Sequence, residues 1–174
     1  MQYGELEKLD GGRVWRLRFS RRFEHPVEKV WRAVTEPQHL AAWFPTTIDG
    51  ERNVGALLTF VLPPEIKIPP FQGRMLKWDP ERVVEFEWGQ DIIRIELVPD
   101  GNGTRFTLCD TLDEHGKAAR DAAGWHQCLE KLETHLGNTV TSSPDWKTLF
   151  ADYGERFGPE AARIGPPKGH PEAE

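Results

Sequence analysis

Histidine side chains are the first candidates for chemistry, because imidazole serves both as a metal ligand and as a general base. The sequence contains six of them, His25, His39, His115, His126, His135 and His170. No two are four residues apart, the spacing that directs two imidazoles of one helix at one ion, and no carboxylate-rich cluster accompanies them. The pattern therefore predicts no metal site. His126 follows Trp125 by one residue, about 100° around a predicted helix, so we expect it at the edge of an apolar stripe or in solvent.

Nucleophile and cofactor motifs give no stronger signal. Cys109 and Cys128 are too few and too far apart for a disulfide framework or a Cys-x-x-Cys zinc site. We interpret Cys128 as a small buried hydrophobe, since the sequence offers no signature of a group that would activate its thiol. Gly101-Asn102-Gly103 is typical of a hairpin turn rather than a phosphate-binding loop, and no serine lies in a nucleophile elbow. The sequence therefore identifies no catalytic residue and no cofactor, and it favours a protein that is not an enzyme.

The charge balance and composition exclude several partners. Lys and Arg number 22 against 28 Asp and Glu, a net charge of -6 without a long run of one sign, so neither nucleic acid nor an anionic membrane is expected. Seven Trp and nine Phe supply apolar area for one core, and no stretch approaches the length of a membrane span. The first 20 residues lack the apolar centre of a signal peptide, and two cysteines fit a reducing compartment. We expect a soluble, cytoplasmic protein.

The elements that must position any site begin with a strand over residues 13–23, in which Trp15 and Leu17 alternate with arginines. Pro26 then starts a short amphipathic helix, and a second short helix follows and ends at Pro45. Five further strands, separated by turn-forming residues, are predicted at 54–62, 71–78, 82–88, 91–98 and 104–110. Such short connections make neighbouring strands antiparallel, with one buried face and one solvated face.

Two more helices complete the prediction. Apolar residues spaced by three or four predict a long helix over 114–136, whose single apolar stripe can cover the sheet. Gly124 lies within it, and we attribute this glycine to close packing. A helix over 145–157 has an aromatic stripe that we expect to dock on the domain or on a second subunit, namely Trp146, Phe150, Tyr153 and Phe157. The predicted organisation is a domain over 1–138, a linker and extra helix over 139–158, and a disordered tail over 159–174.

The order of these elements resembles the helix-grip fold, an α+β architecture in which a curved antiparallel sheet wraps around a long C-terminal helix. Two segments carry a closer resemblance, FEHPVEKVWRAVTEP at 23–37 with HLAAWFP at 39–45, and GWHQCLEKLETHL at 124–136. Both resemble the bacterial homologues of the heat-shock-protein-90 ATPase activator, within the START-related, Bet v 1-like superfamily abbreviated SRPBCC. The resemblance covers about residues 14–136. It implies a hydrophobic cavity between sheet and helix, and the family name implies a link to the stress response.

A cavity of that kind would be walled by aromatic side chains that point between the sheet and the helix. The expected ligand-binding residues are Trp43 and Phe44 at the mouth, Phe60, Arg74, Phe86 and Trp88 on the sheet, and Trp125 and Cys128 on the helix. Each aromatic residue alone is more typical of a core, whereas the set together favours a pocket. Arg74 shares an alternating phase with Leu76 and Trp78, so it is either the polar anchor of the pocket or a solvated strand residue.

Three functions remain open on the sequence alone. The first, which we favour, is a carrier or sensor that encloses a small hydrophobic molecule. The second is an enzyme of the cyclase or aromatase type, which requires polar side chains converging inside the cavity, and the sequence shows few. The third is a co-chaperone-like module that binds a chaperone or another protein through an exposed apolar patch. The aromatic helix at 145–157 also leaves a homodimer open.

Overall fold

Eight antiparallel strands form one sheet in the computed structural model of the chain, which describes residues 1–140 and 143–166. The strands are β1 (Glu5–Leu9), β2 (Val14–Phe23), β3 (Thr47–Asp49), β4 (Leu57–Val61), β5 (Phe71–Asp79), β6 (Val83–Trp88), β7 (Asp91–Asp100) and β8 (Gly103–Leu112). Their order across the sheet is β1-β2-β8-β7-β6-β5-β4-β3. Each strand therefore pairs with the strand that follows it in sequence, with one exception. β2 does not pair with β3 and pairs instead with β8, the last strand.

The predicted strands are all present, and the structure adds two that were not predicted. β1 pairs along its whole length with β2, from Glu5 opposite Arg18 to Leu9 opposite Val14. Its five residues alternate weakly between charged and apolar types, so periodicity alone does not distinguish it from a loop. β3 has only three residues and forms the opposite edge of the sheet beside β4.

The inner face of the sheet is formed by alternate residues of its long central strands. On β7 these include Ile93 and Ile95, and on β8 they include Phe106 and Leu108, all with at most 1% of their surface exposed. Asp110 continues the same phase of β8 and lies opposite Ile93 in the ladder. A carboxyl group therefore occupies a position that the strand pattern reserves for apolar side chains.

Four helices complete the architecture. Two short ones, α1 (Val27–Thr35) and α2 (Pro37–Trp43), connect β2 to β3. The long α3 (Ala118–His135) covers the curved inner face of the sheet, and its buried side chains include four alanines that permit close approach. A short 3-10 helix, His115–Lys117, leads into it from β8. This arrangement confirms the predicted α+β helix-grip fold.

The fourth helix, α4 (Trp146–Phe157), packs on α3 through the buried Leu149 and Tyr153, so its predicted docking on the domain is confirmed. The Asp145 side chain caps it by accepting a 2.7 Å hydrogen bond from the Thr148 amide. The interface between α3 and α4 also covers His126, which is 1% exposed. The prediction that His126 lies at a stripe edge or in solvent is therefore wrong, because it considered only the packing of α3 against the sheet.

The segment after Gly158 also differs from the expected disorder. Pro159–Ala162 form a 3-10 helix in which Ala161 is buried. The Ile164 amide donates a 2.9 Å hydrogen bond to the Gly116 carbonyl, which ties this segment to the turn before α3. Residues 167–174 of the predicted tail and 141–142 of the predicted linker lie outside the described residues. In the part of the chain that is described, none of the helices is both long and apolar enough to cross a bilayer.

Candidate functional site

A cavity of about 400 Å³, partly open to solvent, lies between the inner face of the sheet and the first half of α3. Apart from Gly89, Gln90 and Gly124, its lining divides into two groups of side chains. The apolar group is Pro45, Leu62, Ile68, Phe71, Trp88, Trp125, Cys128, Trp146 and Pro166. The charged group is Asp91, Asp110, Asp113, Lys117, Arg120 and Asp121. The cavity therefore combines an apolar wall with a set of charged groups.

Three of the expected ligand-binding residues line this cavity. Trp88 comes from the end of β6, and Trp125 and Cys128 lie one helical turn apart on α3. The two indole rings are 6.0 Å apart between centroids. The Trp125 indole is fixed in direction because its Nε1 donates a 2.8 Å hydrogen bond to Oδ2 of Asp110. Burial raises the pKa of Cys128 to about 11, so its thiol remains protonated and acts as apolar lining.

Trp43 and Phe44, expected at the mouth, do not line the cavity. Trp43 is 2% exposed, and its Nε1 donates a 2.9 Å hydrogen bond to the Ala33 carbonyl, so it belongs to the core between α1 and α2. Phe44 packs behind the cavity wall, with its ring centroid 5.7 Å from that of Trp125 and 5.3 Å from that of Trp88.

Phe60 and Phe86 also stand behind the wall rather than in it. The Phe60 ring lies 4.9 Å from Trp88 and 5.1 Å from Phe71, and Phe86 lies 5.6 Å from Phe60. Edge-to-face and tilted contacts at these distances are favourable for aromatic pairs. These rings support the Trp88 indole from behind. The sequence pattern could not distinguish such a supporting position from direct contact with a ligand.

Arg74 is exposed, and the expectation that it anchors a ligand inside the curve is not met. Its guanidinium donates a 3.1 Å hydrogen bond to the Gly55 carbonyl at the surface. The phase argument failed because the ladder between β5 and β6 shifts register between Met75 and Lys77. Such a bulge moves Trp78 to the other face from Arg74, although the two are an even number of residues apart.

The charged end of the cavity centres on three carboxylates, which we call the acidic cluster: Asp91, Asp110 and Asp121. One carboxylate oxygen from each lies within 4.8 Å of the others. Asp91 and Asp110 are 4% and 1% exposed. Oδ1 of Asp110 is buried and has no hydrogen-bond partner among residues 1–140 and 143–166. One carboxyl oxygen at this end of the cavity is therefore not paired by any described residue.

Two basic side chains accompany the acidic cluster. Lys117 Nζ lies 2.7 Å from Oδ2 of Asp91 and 2.5 Å from Oδ1 of Asp113. Arg120 Nε lies 2.6 Å from Oδ1 of Asp121. The amide of Asp113 donates a 2.8 Å hydrogen bond to Oδ1 of Asp91. Asp91 and Asp121 therefore have cationic partners, whereas within residues 1–140 and 143–166 Asp110 is bonded through the Trp125 indole alone.

Burial changes the proton affinity of the acidic cluster. It raises the pKa of Asp91 to about 6, although Lys117 and the Asp113 amide oppose the shift. It also raises the pKa of Asp110 well above its usual range, and the nearby charges of Asp91 and Asp121 add to that rise. Asp110 therefore holds a proton more readily than a solvated carboxyl group does.

Sequence reasoning missed this end of the cavity and expected few converging polar groups. Its members come from β7, β8 and the start of α3, so no local spacing connects them. Asp110 had a signal, since it follows Phe106 and Leu108 in the inward phase of its strand. Gly124 was misinterpreted as a packing residue: apart from its own helix backbone and chain neighbours, no described atom lies within 4 Å of a Cβ built there. This glycine instead borders the open space.

A curved antiparallel sheet around one long helix, with a cavity left between them, defines the START-related helix-grip class of proteins. Within that class, residues 24–137 match the family model described as Activator of Hsp90 ATPase homolog 1-like protein, and the chain belongs to this family. The match covers α1, α2, the strands β3 to β8 and α3, and it begins after β1 and β2. It ends before α4, so this helix lies outside the part of the chain that the family model covers.

Solved bacterial structures share the fold. CalU16 from Micromonospora echinospora is 19% identical with a TM-score of 0.67, over 92% of this chain and 97% of that one. EF2215 from Enterococcus faecalis, a conserved protein of unknown function, is 21% identical with a TM-score of 0.71, over 88% and 89%. NE0264 from Nitrosomonas europaea is 25% identical with a TM-score of 0.61, over 74% and 96%. No curated protein matches the chain.

Proposed function

We propose that this protein binds a small, largely apolar molecule in the cavity between the sheet and α3, as a carrier or sensor. The observation that carries the proposal is the cavity of about 400 Å³ walled by the indoles of Trp88 and Trp125. Ligand pockets are typically apolar, about 300–1,000 Å³ in volume, and contain a few convergent polar groups. Membership of a START-related family supports the same function.

Two features support a cavity that remains open rather than collapsing. Phe44, Phe60 and Phe86 pack behind the lining indoles, so the wall is held from outside the cavity. Gly124 faces the open space at a helix position where alanine would be about 1 kcal/mol more favourable. A residue that costs helix stability and adds no packing contact is consistent with selection for volume.

The first experiment is native mass spectrometry of the purified protein, which detects any molecule retained in the cavity. It is followed by thermal-shift and tryptophan-emission titrations with fatty acids, sterols and aromatic polyketides. A ligand that binds only the folded state raises its stability by RT ln(1 + [L]/Kd), about 2.7 kcal/mol at a hundredfold excess over Kd. Binding also changes the surroundings of Trp88 and Trp125, so both signals should respond to the same compounds.

A matched pair of variants tests whether the cavity is the site. Gly124→Leu directs a large side chain into the open space, and Gly124→Ala makes the same helix more stable while leaving most of the volume. Binding should be lost in the leucine variant and retained in the alanine variant. If both variants bind like the parent chain, the ligand lies elsewhere and an interaction through the protein surface becomes the better account.

A second candidate function is an enzyme of the cyclase or aromatase type. The specific observation in its favour is the acidic cluster, because a carboxyl group with a raised pKa inside an apolar cavity can act as a general acid. Mass spectrometry of each bound compound after prolonged incubation distinguishes the two functions. A carrier returns the compound unchanged, whereas an enzyme returns a product whose formation requires Asp110.

A further inference from the structure

The unpaired carboxyl oxygen of Asp110, Oδ1, indicates which polar group a ligand in the cavity would need. Its carboxyl group is 1% exposed and lines the cavity, and Oδ2 accepts the Trp125 indole hydrogen bond at 2.8 Å. Oδ1 has no partner in the described ranges. Buried carboxyl oxygens in native proteins are normally paired, so an unpaired one on a residue that lines a cavity indicates a position for an external group.

The charges around Asp110 indicate the sign of that group. Four carboxylates line this end, Asp91 and Asp110 from the sheet, Asp113 from the turn and Asp121 from α3. Two cations, Lys117 and Arg120, oppose them, which leaves a charge of 4 − 2 = 2 negative when all are ionised. Both cations are bound by carboxylates other than Asp110. One of the two uncompensated negative charges is shared by Asp91 and Asp113, which divide Lys117 between them, and the other is that of Asp110, which has no cationic partner among the described residues.

The apolar wall beside Asp110 suits the same kind of ligand. Trp125 borders the cavity and contacts Asp110 directly, and Trp88 lies 6.0 Å from it between ring centroids. Indole faces attract ammonium groups through the ring quadrupole, and more strongly when the group is removed from water. Asp110 and the two indoles line the same cavity, so the cavity offers both a counter-ion and the aromatic faces that recognise an organic ammonium ion.

We propose, building on the function above, that the ligand is an amphipathic amine whose apolar body fills the cavity and whose ammonium group donates a hydrogen bond to Oδ1 of Asp110. Lys117 and Arg120 keep the neighbouring carboxylates occupied, so the ammonium is directed to Asp110. This arrangement does not suit a divalent metal, because Mg²⁺ and Ca²⁺ require six or more oxygen ligands and the basic side chains hold those of Asp91 and Asp121.

Binding of an ammonium group should release a proton. In the empty cavity, burial and the charges of Asp91 and Asp121 raise the pKa of Asp110, while Lys117 opposes them. An ammonium ion at Oδ1 favours the charged carboxylate, so it lowers that pKa and the proton leaves to the buffer. A neutral ligand of the same shape has no such effect.

The test compares 1-naphthylmethylamine with 1-naphthylmethanol, which have the same aromatic body and differ in the charged group. Isothermal calorimetry at pH 7 in phosphate and in Tris measures affinity and proton release. We expect the amine to bind about tenfold more tightly than the alcohol, since a charge-assisted hydrogen bond to a buried group has that magnitude. Its apparent enthalpy should differ between the two buffers, whereas that of the alcohol should not.

Variants locate the effect. Asp110→Asn keeps an acceptor for the Trp125 indole but removes the negative charge. The variant should therefore bind the amine and the alcohol with about equal affinity. Glu85→Gln removes one charge from the outer face of β6, where Glu85 pairs with Arg94 at 3.0 Å, and should leave the preference unchanged. If Asp110→Asn does not fold, the parent chain tests the proposal. An apparent enthalpy of amine binding that is the same in phosphate and in Tris would then contradict it.

Each other outcome overturns the proposal in a distinguishable way. Equal or tighter binding of the alcohol shows that Asp110 donates its proton to a neutral oxygen and that only the ligand class is wrong. Displacement of the amine by millimolar Mg²⁺ or Ca²⁺ replaces the amine site with a metal site. If neither naphthalene compound binds and the Gly124 variants change no ligand signal, the proposed function itself has failed.

Discussion

Buried polar groups lie on two faces of α3, and they differ in how completely they are paired. Towards α4, the Gly4 amide donates to the Tyr153 hydroxyl at 2.9 Å, and that hydroxyl is hydrogen-bonded to Nδ1 of His126 at 2.9 Å. Towards the sheet, Asp110 keeps one buried oxygen without a partner among the described residues. The first group has the character of a structural network, and the second lies at the position where we propose that a ligand binds.

The electrostatic consequences of the two groups are opposite in sign. Burial and the charge of Arg21 lower the pKa of His126 to about 4, so this imidazole is neutral in the folded protein. Burial raises the pKa of Asp91 to about 6 and that of Asp110 well above its usual range. One region therefore loses stability when it gains a proton, and the other loses stability when it gives one up.

The largest expected effect on stability comes from removing the Trp125 indole, which lines the cavity and is hydrogen-bonded to Asp110. Trp125→Ala should lower the free energy of unfolding by roughly 3–5 kcal/mol, because a side chain that is 5% exposed leaves a large void. Urea denaturation measures the change, with Trp88→Ala as a half-buried comparison that should cost less. An unchanged unfolding midpoint would show that the cavity side of α3 does not contribute to the core.

The pH dependence of stability separates the two regions. Between pH 4 and 6.5 the unfolded chain binds more protons at His126 than the folded chain does, so this group makes stability rise with pH. Between pH 3.8 and 6 the folded chain binds more protons at Asp91, so that group makes stability fall with pH. The two slopes oppose each other in the parent chain over their common range.

Single substitutions should expose each slope in turn. Asp91→Asn should make stability rise more steeply between pH 4 and 6, because the Asp91 part of the slope that opposes His126 is removed and only that of Asp110 remains. His126→Gln should make stability flatter or falling with pH over the same range. Slopes rather than absolute stabilities are compared, since each substitution also changes packing. Identical slopes in all three chains would contradict the assignment of opposite proton affinities to the two regions.

The same two regions explain what sequence alone could and could not predict. Six of the eight strands and α3 follow from periodicity, whereas β1 and β3 do not, and the inward phase of Phe106 and Leu108 was assigned correctly. His126 was misplaced because a helix stripe shows one covered face and gives no sign that α4 covers another. The acidic cluster was missed because Asp91, Asp110 and Asp121 meet only when the sheet curves around α3.

A smaller effect tests the paired network beside α4. Tyr153→Phe removes a hydroxyl and leaves the Gly4 amide and Nδ1 of His126 without their partners. Leaving a buried polar group unpaired costs about 1–3 kcal/mol, so the variant should be destabilised by that amount. Hydrogen exchange of the Gly4 amide provides a second readout, because its protection depends on this hydrogen bond. Unchanged stability and protection would mean that the network is not structural.

The smallest effect has the opposite sign and tests the incomplete group directly. Asp110→Asn retains an oxygen for the Trp125 indole and removes a carboxyl group whose ionisation is opposed by burial and by the charges of Asp91 and Asp121. Removing a buried carboxyl that must take up a proton on folding should raise the free energy of unfolding by about 1 kcal/mol at pH 7. Asp110→Ala is the matched control, since it removes the acceptor as well and should destabilise the protein. If Asp110→Asn instead destabilised the protein as much as Tyr153→Phe does, Asp110 would belong to a completed structural network, and the difference between the two faces of α3 would disappear.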